Sequence, residues 1–104
     1  MSTLHDLADI IKQRRSASAE KSYTKSLIEG GTQKCCKKLG EEATETIIAA
    51  LAQDKAALKA ETADLLYHLL VLLEERDIAL KDVEQILAER MGISGHDEKA
   101  SRST

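Results

Sequence analysis

At 104 residues, 42% hydrophobic and 32% charged, the chain has the size and composition of one small folded domain. A net charge of −3 counts against nucleic acid as a default ligand, and the longest apolar run, residues 69–73, is far too short to cross a bilayer. With no proline, two aromatic residues and the adjacent pair Cys35-Cys36, the composition excludes a disulfide framework or a cysteine-held metal and fits a helical protein of the reducing cytoplasm.

In chain order, Thr3 and Asp6 make a weak capping box, followed by Leu4, Leu7, Ala8 and Ile11 at helical spacing. This first helix is expected to fray near Arg14-Arg15 and Ser16-Ala17-Ser18. Residues 20–28 read as a loop or a short helix through Ser26, Leu27 and Ile28. Gly30-Gly31 interrupts the chain, and Thr32 is the expected N-cap of a helix over 33–52. Gln53-Asp54 forms a turn, with Asp54 capping a helix over 55–75. A last helix over 80–90 carries Leu80, Val83 and Leu87 on one face and ends at Met91-Gly92. Residues 1–93 therefore read as one all-α domain and residues 94–104 as a polar tail.

The segment ADLLYHLLVLL, residues 63–73, is apolar nearly all round except at Asp64 and His68. Such a helix is buried on every side, which a few short helices from one chain do not achieve. The expected architecture is an antiparallel bundle of four to five helices completed by dimerisation about a two-fold axis.

Five acids define the chemistry. A helix turns about 100° per residue, so Glu42 and Glu45 lie about 60° apart, as do Glu61 and Asp64. The tight turn at Asp54 makes the helices over 33–52 and 55–75 antiparallel neighbours. Glu45 lies nine residues before Asp54, and Ala63, between Glu61 and Asp64, lies nine residues after it. Glu42, Glu45, Glu61 and Asp64 are therefore expected to stand level across the interface, with Glu41 close by. Carboxylates so crowded raise one another's pKa or recruit a counter-charge. Oxygen ligands of this kind suit Mg²⁺ or Mn²⁺, as two ions or as one ion with a basic residue.

Lys34, Lys37 and Lys38 precede these acids by one to two turns. Lys38 is spaced to pair with Glu41 or Glu42, or to bind phosphate beside the metal. Thr32 and the amides after Gly30-Gly31 would assist at the helix N-terminus. Arg14, Arg15, Lys25, Lys99 and Arg102 are more distant phosphate candidates. His68 shares the stripe of Glu61 and Asp64 and reads as a core residue or a substrate contact, not a metal ligand. Cys35 and Cys36 are expected only to pack.

Glu41-Glu42-x-x-Glu45 followed by Glu61-x-x-Asp64 resembles the EExxE…ExxD signature of the MazG-like all-α nucleotide pyrophosphohydrolases. Within that superfamily, SYTKSLIEGGTQKCCKKLGEEATETIIAA, ETADLLYHLLVLL and the tail GISGHDEKASR look like the phosphoribosyl-ATP pyrophosphatase family of histidine biosynthesis. The resemblance covers nearly the whole chain. It implies a Mg²⁺-dependent homodimer that hydrolyses 1-(5-phosphoribosyl)-ATP to 1-(5-phosphoribosyl)-AMP and pyrophosphate. By motif, Glu42, Glu45, Glu61 and Asp64 would bind metal, and Glu41 would be a further ligand or the base for the attacking water. Lys34 and Lys38 are suited to stabilise developing phosphate charge. No Ser–His–Asp or Cys–His arrangement is evident, so direct attack by water is expected instead of a covalent intermediate. The competing readings are a relative acting on other nucleotides and a non-catalytic helical dimer with a solvated acidic face.

Overall fold

The computed structural model describes residues 2–16 and 22–92, and all regular structure within them is helical. The polar tail, with Lys99 and Arg102, lies outside the described residues. The order is α1 (Thr3–Ser16), α2 (Tyr23–Glu29), α3 (Gly31–Ala52), α4 (Lys55–Glu75) and α5 (Leu80–Met91).

The expected all-α fold is present, and the described part of the stretch 20–28 is helical from Tyr23, α2 running on to Glu29. Ser22 caps α2, its side-chain oxygen accepting from the Lys25 amide at 3.3 Å. Two caps sit elsewhere than the sequence suggested. Ser2, not Thr3, caps α1, accepting from the His5 amide at 3.1 Å. Gly30, not Thr32, precedes α3, and Gly31 takes φ +87°, a conformation a side chain would strain. Thr32 lies inside the helix and donates to Glu75 Oε1 at 2.7 Å. Asp54 caps α4 as expected, accepting from the Ala57 amide at 2.8 Å.

α1 runs through Arg14-Arg15 and ends at Ser16, within the stretch where the sequence places its end. Arg15 Nη1 reaches the end of α4, donating to the Glu74 carbonyl at 2.6 Å, Glu74 Oε2 at 2.9 Å and Asp77 Oδ1 at 2.8 Å. There α4 stops in a Schellman turn. Asp77 sits at φ +59°, its amide bonds Glu74 O at 3.0 Å, and the Ile78 amide bonds Leu73 O at 2.8 Å. Gly92, at φ +78°, ends α5.

α3 and α4 form a long antiparallel hairpin, against whose open end α1 and α2 pack. The buried core is Ile11, Leu27, Cys35, Leu70 and Val71, surrounded by Leu7, Ala8, Ile28, Tyr67, Leu72, Leu73 and Leu80. Cys35 packs as expected, its thiol donating to Leu27 O at 3.3 Å, but Cys36 is exposed. Toward the turn the hairpin is bare: Ile47 is 58% exposed and Leu51 83%. Leu69 is also exposed, as are Ile86, Leu87 and Met91 of α5. A radius of gyration of 16.3 Å exceeds the roughly 13 Å of a compact domain this long. No described helix is long and apolar enough to cross a membrane.

Candidate active site

The register predicted by counting from Asp54 is the register observed. Glu42 and Glu45 on α3 and Glu61 on α4 each bring a carboxylate oxygen within 4.8 Å of the others. Thr46, which sequence reasoning passed over, sits at the same level. Its hydroxyl proton is shared between Glu42 O at 2.8 Å and Glu61 O at 3.2 Å, which ties the two arms together beside the acids. A threonine bonding back to its i−4 carbonyl is ordinary on a helix. The second acceptor on the facing helix was invisible without the register.

Like charges at this spacing strain one another. The Glu42 carboxyl is pushed up to about 7, chiefly by a hydrogen bond with Glu45, then by burial and by the charges of Glu45, Asp64 and Glu61. Two carboxylates holding one proton are a site short of positive charge. Asp64 acts on Glu42 through its field but lies outside the three-residue cluster. Glu41 turns toward Lys38, whose ammonium is 3.2 Å from Glu41 Oε1. That bond, with smaller help from Tyr23 and Glu42, raises the Lys38 pKa and keeps it a cation. Lys38, Glu41, Glu42 and Glu45 line an open cavity of about 630 Å³.

His68 is buried on α4 beside this group, and its Nδ1 has no hydrogen-bond partner among the described residues. Burial, then the charge of Lys38, lowers its pKa against the opposing pull of Asp64 and Glu41, so the imidazole is neutral at pH 7. Tyr67 packs edge-on to it with ring centroids 5.0 Å apart, and Tyr67 and Thr24 share a hydroxyl–hydroxyl hydrogen bond.

Thr32 and Lys34 are not brought to the acids. Ten residues of helix, roughly 15 Å, separate Thr32 from Glu42. Lys34 is exposed, with its side chain folded back over Gly30. Arg15 is engaged at the far end of α4. Lys38 pairs with Glu41 next to the acidic cluster.

Helical throughout, with carboxylates converging from two facing arms, the described chain has the frame of the all-α pyrophosphohydrolases. The profile of the phosphoribosyl-ATP pyrophosphohydrolase family matches residues 4–91. A phosphoribosyl-ATP pyrophosphatase 1 of Bradyrhizobium diazoefficiens is 55% identical over 100 residues, covering 96% of this chain and 94% of its own. A phosphoribosyl-ATP pyrophosphatase of Azorhizobium caulinodans is likewise 55% identical over 100 residues, covering 96% and 92%. One from Zymomonas mobilis is 51% identical over 100 residues, covering 96% and 94%. The chain belongs to the phosphoribosyl-ATP pyrophosphohydrolase family.

Proposed function

We propose that this chain hydrolyses 1-(5-phosphoribosyl)-ATP at the α–β phosphoanhydride, releasing pyrophosphate and 1-(5-phosphoribosyl)-AMP, as the second step of histidine biosynthesis. The observation that carries the reading is the meeting of Glu42, Glu45 and Glu61 oxygens within 4.8 Å. Family membership and the names of the relatives supply the substrate.

The donor set fits Mg²⁺, or Mn²⁺ in its place. It is all oxygen, drawn from both arms of a rigid hairpin, and holds a proton up to about pH 7 where a cation would relieve it. Glu42, Glu45 and Glu61 would hold one ion, and Asp64 would join them or help hold a second. Bound there, the metal supplies charge neutralisation for phosphoryl oxygens and a lowered pKa for water.

The chain's own groups do the rest. Lys38, kept charged by Glu41, offers a cation to the departing pyrophosphate. Glu41 can accept the proton of the attacking water, and Glu45 holds the cluster in place by its bond to Glu42. Neutral His68 backs the site from within the core, and because its unpartnered Nδ1 is itself buried, the ring would have to turn to reach substrate. Thr32 and Lys34 can serve only the distant end of an extended ligand, while Lys99 and Arg102 are further phosphate contacts suggested by the tail.

The functional unit is a homodimer. Ile47, Ile48 and Leu51 make an apolar strip on the bare half of the hairpin, and α5 adds Ile86, Leu87 and Met91. A second copy covering these surfaces would complete the core that one chain leaves open. The free thiols of Cys35 and Cys36 suit a cytoplasmic location.

The test is product analysis after incubation with phosphoribosyl-ATP and Mg²⁺. Equimolar pyrophosphate and phosphoribosyl-AMP are expected. Release of orthophosphate, or turnover of deoxynucleoside triphosphates in preference, would replace this reading with that of another pyrophosphohydrolase.

A further inference from the structure

Both aromatic rings of the chain, Tyr23 and Tyr67, stand together beside the acidic site. They lie nearly parallel, with centroids 6.4 Å apart and planes 16° apart. His68 meets Tyr23 edge-on at 6.1 Å and 77°. Behind them the pile is fixed, since Thr24 and His68 are 3% and 6% exposed and Thr24 holds the Tyr67 hydroxyl. Tyr23, by contrast, is 52% exposed at the first turn of α2. One side of its ring is backed by aromatic neighbours, and about half of its surface remains open. Its phenol is close enough to Lys38 to act on that ammonium, and Lys38 pairs with Glu41. A ligand whose phosphates lie at Lys38 and the carboxylates has Tyr23 within reach of its base.

An exposed tyrosine on a short helix is ordinarily just surface. Here two features speak for more: the ring has Tyr67 and His68 beside it on its inner side, and it stands next to Lys38 at the phosphate end of the site. The substrate's chemistry adds a third. Substitution at N1 of adenine leaves a base that takes up a proton at its exocyclic nitrogen and spreads a positive charge over the ring. The electron-rich face of a phenol attracts such a cation more than it attracts the neutral base of ATP.

We propose that Tyr23 is the stacking platform for the purine of the substrate and favours the N1-substituted, positively charged adenine over an unsubstituted one. This rests on the substrate reading given above. The Tyr67 ring and His68 act through Tyr23, holding its plane.

Steady-state pyrophosphate release from phosphoribosyl-ATP by the full chain, wild type against Tyr23→Phe and Tyr23→Leu, tests it. Inhibition by AMP and by 1-methyl-AMP is measured in the same preparations, and far-UV circular dichroism verifies that each variant is helical. Loss of the ring in Tyr23→Leu should raise KM by about tenfold or more, with a smaller fall in kcat. It should also erase a wild-type preference for 1-methyl-AMP over AMP, while Tyr23→Phe retains both properties. An unchanged KM in Tyr23→Leu overturns the proposal. So does a Tyr23→Phe variant as impaired as Tyr23→Leu, which would assign the hydroxyl instead of the ring, or equal inhibition of the wild type by the two nucleotides. A helical wild-type protein that releases no pyrophosphate defeats the substrate reading itself, and this inference with it.

Discussion

Replacing Glu42 by glutamine should make the metal-free protein more stable at alkaline pH. In the folded chain the Glu42 carboxyl is pushed from 4.5 up to about 7, first by its hydrogen bond with Glu45, then by burial and by the charges of Glu45, Asp64 and Glu61. The folded state thus binds this proton more tightly than the unfolded chain does. The stability it confers is full below about pH 4.5 and is lost as the pH rises through about 7. At 1.36 kcal/mol per pH unit the ceiling is roughly 3.4 kcal/mol. Glu42 is only half-buried, and screening by water cuts the figure to about 1 kcal/mol. Glu42→Gln removes the charge and keeps a donor for Glu45. In EDTA at pH 8 the variant should melt about 4–8 °C above the wild type, and at pH 4.5 the two should coincide. Added Mg²⁺ should raise the wild-type Tm, and that of the variant much less. An equal or lower Tm for Glu42→Gln at pH 8 in EDTA would refute the claim that carboxylate repulsion is stored at this point.

Three further outcomes follow from the geometry. Glu45→Ala and Asp64→Ala should each cut pyrophosphate release by well over about a hundredfold with circular dichroism unchanged, because even groups that merely support metal ligands are worth 10–100-fold; near-normal activity would remove that residue from the mechanism. Gly40 lies inside α3, where an added Cβ meets nothing within 4 Å. Gly40→Ala should therefore stabilise the fold by roughly 0.5–1 kcal/mol in thermal melts, and a lower Tm would mean that a partner's backbone approaches there. Leu51→Lys, at a side chain 83% exposed on one chain, should shift the mass measured by light scattering from the proposed dimer toward monomer; a dimer unaffected by the change would place the interface elsewhere, and a monomeric wild type would refute the dimer.

The hairpin and its acids were legible because each rests on local rules. Asp54 is a strong cap next to a turn, and helical rise converts equal counting on either side of it into equal height. Glu42, Glu45 and Glu61 meet as that arithmetic requires. What escaped depends on long-range partners. Nothing local to Arg15 announces its bonds to Glu74 and Asp77, 59 and 62 residues away. The Schellman turn at Asp77 lacks the glycine that usually announces one. Thr46 and Tyr23 look like ordinary helix positions until the second helix is in place. Thr32 carries the chemistry of an N-cap, yet the helix starts two residues earlier, at Gly31 with its positive φ, and the hydroxyl goes to Glu75 instead.

An anomalous difference map from a crystal soaked in Mn²⁺ interrogates the cation site itself. The account predicts a peak between α3 and α4, within coordination distance of Glu42, Glu45 and Glu61 and abolished in Glu61→Gln. A soaked crystal with no peak there, the three side chains pointing apart into solvent, would contradict it.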